Sequence, residues 1–80
     1  MRANLKKSNL QGAELAHADV REGALYKADL RNAILHEANL SGADLSSTDC
    51  RNADLRGVDL SNANLSGADL RGADLTRADL

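Results

Sequence analysis

The sequence lacks proline, phenylalanine and tryptophan, and Tyr26 is its one aromatic residue. A core for 80 residues without large aromatic side chains must come from many small apolar ones, and Ala and Leu supply 14 each. One cysteine excludes a disulfide within the chain, and two histidines leave little material for a structural zinc site. The composition therefore predicts a core assembled from repeated small units.

Excess charge and long apolar runs are also missing. The chain carries 12 acidic and 10 basic residues, a net charge of −2, so neither a nucleic-acid-binding surface nor an acidic tail is indicated. No apolar run approaches the roughly 18 residues of a membrane span, and the amino terminus shows no apolar core of a signal peptide. The default expectation is a cytoplasmic protein without membrane contact.

What the chain does contain is a repeat with a period of five. Leu stands at every fifth position from Leu5 to Leu80, and Val20 and Cys50 fill the two gaps. Two positions before each of these, Ala occurs in 12 of 16 units, and one position before, Asp or Asn occurs in 13 of 16. The unit is Ala-(Asp/Asn)-Leu-x-x, and it continues without insertion or deletion. We name its places the small, Asx, Leu, first turn and second turn positions.

A period of five fits neither regular element. On an α-helix five residues advance about 500°, so the leucines would scatter around the axis. On a strand the side-chain period is two, so successive leucines would alternate between faces. A chain that turns a corner in every unit puts Ala and Leu inside, and Asx and Gly favour such turns. We therefore predict a solenoid, with a local bulge where Gly23 and Ala24 break the pattern.

The tandem unit, seen clearly in Ala68-Asp69-Leu70-Arg71-Gly72, resembles the pentapeptide-repeat family over residues 3–80. The resemblance implies an all-β fold, a right-handed quadrilateral β-helix with four repeats per coil and about four coils, as a single domain over residues 1–80. The period of five by itself is equally consistent with a three-sided coil that has three repeats per turn of the solenoid.

Stacking of every fourth unit would align outward side chains into columns. One column of arginines would lie beside one of aspartates, and with two outward apolar residues they form the candidate interaction surface: Arg31, Arg51, Arg71, Asp29, Asp49, Asp69, Tyr26 and Ile34. The columns serve either recognition of a partner or mutual neutralisation, since opposite charges side by side offset the repulsion within each column.

The sequence predicts no catalytic residues, no cofactor-binding residues and no metal site. The serines have no histidine at a recurring outward register, and the six glycines form no phosphate-binding loop. His17 and His36 fall on neighbouring coils with Glu37 stacked on His17, but at different lateral positions. Cys50 replaces an inward Leu and is expected to act as a small hydrophobe. We therefore expect a protein that is not an enzyme and needs no cofactor.

Two functions are consistent with this pattern. The first is a structural or protein-interaction module that presents rigid polar faces to a partner, whose identity the sequence does not give. The second, implied by the family resemblance, is a DNA mimic that modulates DNA gyrase, as in relatives conferring quinolone resistance. A DNA duplex as long as the predicted solenoid would carry roughly eleven negative charges. The net charge of the chain is only −2, and this argues against the DNA mimic. Direct binding of nucleic acid is not expected either.

The repeat continues from Ala3 to Leu80 without a polar capping segment. Open coil ends expose backbone groups and leucines, which pair readily with another chain. We therefore expect that the chain is a fragment of a longer protein, or that its ends associate with another chain or with a second copy.

Overall fold

The computed structural model describes residues 2–80. Within this range the β-structure consists of single bridging residues at the Asx positions, each followed by Leu and a two-residue turn, and there is no helix. All twelve bridges are parallel, and each joins residues four repeats apart, from Asn4–Ala24 to Asp59–Asp79. Four repeats thus complete one coil, and the three-repeat register that periodicity left open is wrong.

Three backbone hydrogen bonds per unit join neighbouring coils: one from the Leu position, one from the Asx position and one from the second turn position, where the N–H of Lys27 donates to the carbonyl oxygen of Ser46 at 3.0 Å. The N–H of Leu25 donates to the carbonyl oxygen of Asp44 at 2.8 Å, and the N–H of Asp44 donates to that of Gly23 at 2.9 Å. The pattern is the same at Gly23 and Ala24 as in regular units, and Ala24 bridges both Asn4 and Asp44. The bulge expected there is absent, because the backbone pairing does not depend on the side chain at either place.

Each corner is a tight turn in which the second turn residue has positive φ. The N–H of Ala28 donates to the carbonyl oxygen of Leu25 at 2.9 Å, as in a type II turn. φ lies between 56° and 74° at every second turn position, five of them glycine and ten not. The Asx side chain closes the turn: Asp29 Oδ1 accepts a hydrogen bond from the N–H of Arg31 at 3.2 Å. This explains why Asx precedes Leu in the repeat.

The small and Leu positions line the interior. Burial is complete in the middle of the stack, where coils are covered on both sides, and each buried Leu contributes about 2 kcal/mol. The leucines of the first and last coils are at most partly buried, and Leu80 is 73% exposed. The best-packed leucines are Leu25, Leu30, Leu35, Leu40 and Leu45.

Cys50 takes a Leu position and points inward as expected. It is 2% exposed, and its Sγ lies 3.4 Å from Oγ1 of Thr48, which donates to the carbonyl oxygen of Leu45 at 2.8 Å. Burial raises the pKa of the Cys50 thiol. The residue is therefore part of the core.

We expect Cys50 to react with a soluble disulfide reagent roughly 100-fold more slowly in the native protein than in denaturant. The buried thiol must be exposed by local opening, and its raised pKa further lowers the thiolate fraction. Absorbance traces of the labelling reaction with and without urea provide the measurement. Equally fast labelling under both conditions would mean that the unit Thr48–Cys50 opens freely.

Candidate interaction surface

The aligned arginines and aspartates form a continuous array, which we call the Arg–Asp ladder: Asp29, Arg31, Asp49, Arg51, Asp69 and Arg71. Each guanidinium donates two hydrogen bonds to the carboxylate two residues earlier, one to each carboxylate oxygen. In Arg31 the Nε–Oδ1 and Nη2–Oδ2 distances to Asp29 are 2.9 and 2.7 Å. The pair formed by Arg51 with Asp49 has 2.8 and 2.7 Å. Such two-point bonds fix the orientation of the guanidinium as well as its position.

Longer ion pairs connect the coils within the ladder. Nε of Arg31 lies 3.8 Å from Oδ2 of Asp49, and Nε of Arg51 lies 3.9 Å from Oδ2 of Asp69. Arg31 and Arg51 therefore each pair with one carboxylate of their own coil and one of the next coil, and the three charges of each sign in the ladder cancel. The mutual neutralisation that was one of the two sequence interpretations is present in the structure.

The pairing lowers the carboxylate pKa values throughout the ladder. The Arg71 guanidinium, through its side-chain hydrogen bonds, lowers the pKa of Asp69 to about 2. Outside the ladder, Arg56 has the same effect on Asp54, whose pKa is also about 2. Both carboxylates therefore remain charged throughout the neutral and mildly acidic range.

We expect stability to fall on acidification between about pH 4 and pH 2. Because the folded pKa values of Asp54 and Asp69 lie below the ordinary 3.8, their contribution is complete above pH 4 and is lost as pH falls through the folded pKa. Replacing both by Asn keeps the turn acceptor, as in Asn64, and should make the loss of stability on acidification smaller than in wild type. Urea midpoints from pH 2 to 7 measure this. Parallel curves for variant and wild type would contradict it.

The same two-point pair occurs away from the ladder. Arg21 binds Asp19 with distances of 2.9 and 2.8 Å, and Arg56 binds Asp54 with 2.7 Å for both. Other aspartates accept a hydroxyl instead, as when Ser46 donates to Asp44 at 2.6 Å. What distinguishes the ladder is therefore the stacking of three pairs on consecutive coils.

Tyr26 and Ile34 do not join the ladder in one patch. Both are half-buried. Ile34 stands between Glu14 and Asp54 in its bridge column, whereas the ring of Tyr26 has the Lys27 ammonium 5.3 Å from its centroid. By register the two lie on either side of the ladder face. The candidate residues thus divide into one contiguous ladder and two separate apolar neighbours.

The side chains of His17, His36 and Glu37 come together at one corner of the stack. The rings of His17 and His36 have centroids 5.5 Å apart and cross at 87°. One nitrogen of each ring and one carboxylate oxygen of Glu37 lie within 4.8 Å of one another. The two histidines occupy different turn positions, as expected, but both positions lie at one corner of the coil and the long side chains bridge the offset.

A polar groove of about 730 Å³ follows another corner of the stack. Its walls include the Asp19–Arg21 pair and the Arg2–Glu22 ion pair, in which Nη2 and Oε1 are 3.1 Å apart. None of the groove's charged groups is buried.

No helix long and apolar enough to cross a bilayer is found among residues 2–80.

Coils of four repeats, filled by Leu and Ala and closed by Asx turns, define a β-solenoid repeat protein. The family model for pentapeptide repeats matches residues 1–36, 24–62 and 53–80. The chain belongs to the pentapeptide-repeat family. No curated protein matches its sequence.

Solved structures of the same family resemble the chain along nearly its whole length. A pentapeptide repeat protein from the cyanobacterium Cyanothece 51142 is 27% identical over 95% of this chain and 58% of its own, with a TM-score of 0.78. One from Nostoc PCC 7120 is 40% identical over 92% of this chain and 65% of its own, with a TM-score of 0.60.

A third structure carries a functional description. HetL, from the cyanobacterium Nostoc sp. strain PCC 7120, is involved in heterocyst differentiation regulation. It is 33% identical over 94% of this chain and 39% of its own, with a TM-score of 0.65. The chain thus spans between 39% and 65% of the length of these three relatives.

Proposed function

We propose that the chain is a non-enzymatic protein-interaction module that binds a protein partner through the Arg–Asp ladder. The observation that carries the proposal is the stacking of three two-point pairs on consecutive coils, which repeats one charge pattern in register. Its finer architecture, in our proposal, is a right-handed quadrilateral β-helix of four coils, as the family implies. The role is one of recognition by a pre-ordered surface.

Donor groups of the ladder remain available to a partner. A guanidinium has five N–H donors, and the bonds to the neighbouring carboxylate use two of them. The side chains of Arg31 and Arg51 are 39% and 41% exposed, and that of Arg71 is 79% exposed. A partner with carboxylates repeated at the coil spacing of about 4.8 Å would meet one guanidinium per coil.

Rigidity favours such binding. The aspartates are held by the inter-coil bridges Asp29–Asp49 and Asp49–Asp69, and their side chains are tied into the turns. Little side-chain entropy is therefore lost on association. The regulatory involvement of HetL supports an interaction role for a protein of this family.

The non-enzymatic part of the proposal has support in the hydroxyl groups. The Ser46 and Ser61 hydroxyls donate to Asp44 and Asp59, each at 2.6 Å. A serine nucleophile needs a base such as histidine to take its proton. The hydroxyls of Ser46 and Ser61 are instead hydrogen-bonded to the aspartates of their own turns, and within residues 2–80 neither is bonded to a histidine.

The test compares two sets of Arg→Ser variants. Ser is the residue that the chain itself uses beside Asp44 and Asp59, so the turn should survive. The ladder variant is Arg31→Ser/Arg51→Ser/Arg71→Ser, and the matched control is Arg21→Ser/Arg56→Ser, which removes two pairs outside the ladder. Cross-linking of the native partner followed by titration should show at least tenfold weaker binding for the ladder variant only. Equal retention or equal loss in both sets would contradict the proposal.

The DNA-mimic alternative is tested in the same series. Five of the aspartates are paired with arginines, so the surface lacks the uninterrupted negative charge of a duplex. We expect the chain to leave gyrase supercoiling unchanged at low and high salt. Inhibition that weakens as salt rises would favour the mimic over the interaction module.

We also propose that the isolated chain associates end to end with a second copy. Leu80 is 73% exposed, and the other leucines of both terminal coils are only partly buried. Contact between ends would therefore bury apolar area and pair backbone groups. Light scattering over a concentration series should show association that depends little on salt. A strictly monomeric chain at all concentrations would refute this.

A further inference from the structure

One corner shared by two neighbouring coils carries three metal-ligating side chains. His17 belongs to one coil, whereas His36 and Glu37 occupy the turn that stacks on it. One donor atom from each lies within 4.8 Å of the other two. Among residues 2–80 no hydrogen bond or ion pair engages these three side chains, whereas the aspartates nearby are tied into turns and ion pairs.

Two of the residues stacked next to these ligands are small. Ala16 lies one coil before His36 at the first turn position, and Gly57 lies one coil after Glu37 at the second. A Cβ at Gly57 would lie 3.2 Å from Cγ of Glu37, closer than an ordinary contact. The lack of a side chain at Gly57 thus leaves room for the side chain of Glu37 at this corner.

The arginine stacked on His36 is bonded to a carboxylate of its own turn. Arg56 follows His36 by one coil at the first turn position, but its Nε and Nη2 are bonded to Asp54 at 2.7 Å each. Its positive charge is therefore balanced by a carboxylate of its own turn. A metal ion at the corner would meet two neutral imidazoles and one anionic carboxylate in the ligating state.

We propose that His17, His36 and Glu37 bind one divalent transition-metal ion, with zinc as the best match. Imidazole nitrogen and carboxylate oxygen are ligands of zinc at about 2.0–2.2 Å, and in a tetrahedral site such atoms lie about 3.3 Å apart. Closing from 4.8 Å requires only rotation of partly exposed side chains. Three protein ligands leave the fourth position to water. This inference is independent of the proposed interaction function.

A bound ion would link the first coil, through His17, to the second coil, through His36 and Glu37. The first-coil leucines Leu5, Leu10 and Leu15 are only partly buried, so this coil gains most from an added link. Because the ion binds only the folded arrangement, a concentration 100-fold above Kd should raise Tm by roughly 10 °C or more. A substitution that weakens zinc binding at this site must therefore also reduce the rise in Tm caused by zinc.

The test is titration of the chain with zinc chloride in a calorimeter, with cobalt(II) absorption as a second readout. The ligand variants are His17→Asn, His36→Asn and Glu37→Gln; Asn suits position 17 because φ there is 63°. The matched control is Glu22→Gln, an acid at the same second turn position with φ 56° on another corner. Circular dichroism without metal verifies that each variant is folded.

We expect one zinc per chain in wild type and in Glu22→Gln, with affinity reduced at least tenfold in each of the three ligand variants. Cobalt should give the visible bands of a tetrahedral site in the same two proteins, and magnesium should not bind. The proposal is overturned if wild type binds no zinc at millimolar concentration. It is equally overturned if any ligand variant binds zinc as tightly as wild type.

Discussion

Leu40→Lys is expected to unfold the chain, whereas Leu80→Lys is expected to leave it folded. Leu40 is 1% exposed and belongs to the core cluster in the middle of the stack. A lysine there would either bury a charge without a partner or open the coils to reach water. The expected loss exceeds about 5 kcal/mol, whereas a domain of this size has roughly 4–12 kcal/mol in total.

Leu80 is the matched control for this substitution. It stands at the Leu position of the same face, two coils further along, and is 73% exposed. A lysine ammonium reaches solvent there without disturbing the core, so the change should cost less than about 1 kcal/mol. Circular dichroism and urea titration of both variants provide the comparison. Equal damage from the two would contradict the graded burial along the stack.

This gradient is a feature that the repeat itself does not contain. Leu40 and Leu80 occupy equivalent places in nearly identical units, yet one is buried and the other is exposed. The period of five predicts which side chains face the axis, because only a turn in every unit puts Ala and Leu on the same side. How deeply each one is buried depends on whether coils cover it on both sides. Predicting this depth requires the number of repeats per coil, which the period of five does not give.

The register of four repeats per coil was available only through the family resemblance. The repeat unit fits a three-sided coil as well as a four-sided one, and the inter-coil hydrogen bonds decide between them. The Arg–Asp ladder follows from that register, since it aligns Arg31 with Arg51. The two-point pairing within each turn depends on Asp and Arg being two positions apart, which the sequence shows directly.

The close approach of the His17, His36 and Glu37 side chains could not be predicted in the same way. A repeat pattern describes positions on a column, whereas these side chains meet across two adjacent columns. Their approach depends on side-chain length and on Gly57, where a Cβ would lie 3.2 Å from Cγ of Glu37. The sequence places the two histidines on neighbouring coils, and the structure adds the distance of 5.5 Å between their ring centroids.

Positive φ at the second turn position was also only partly predictable. Glycine indicates it at positions such as Gly42, but Lys27 adopts φ 59° in the same place. The backbone bond from the Lys27 N–H to the Ser46 carbonyl oxygen at 3.0 Å holds this conformation. Inter-coil pairing thus overrides the ordinary preference of a side chain for negative φ.

The pairing of Val20 with Gly23 leads to the second large expected effect: Gly23→Ala should destabilise the protein, although Ala is the residue of the repeat at that place. A Cβ on Gly23 would lie 2.7 Å from Cγ1 of Val20 and 3.0 Å from its carbonyl oxygen. Val20 is the one valine at a Leu position, and Gly23 is the one glycine at a small position. The branched Cβ of valine therefore occupies the space that the alanine methyl takes elsewhere.

The cost should be about 1–3 kcal/mol, as for other overpacked cores. It outweighs the gain of about 0.4–1 kcal/mol that Gly→Ala gives by restricting the unfolded chain. Valine has only restricted χ1 freedom and is 8% exposed here, so it cannot move aside cheaply. The carbonyl oxygen is fixed as well, because it accepts the N–H of Gly23 at 3.0 Å.

A double-mutant cycle tests this explanation. Val20→Leu removes the branch at Cβ and restores the residue of the repeat, so Val20→Leu/Gly23→Ala should be at least as stable as wild type. The coupling between the two changes should then be at least about 1 kcal/mol, in the range observed for residues in contact. Urea unfolding of the four proteins measures it. If Gly23→Ala is stabilising by itself, or if the two effects simply add, the valine branch is not what excludes alanine at position 23.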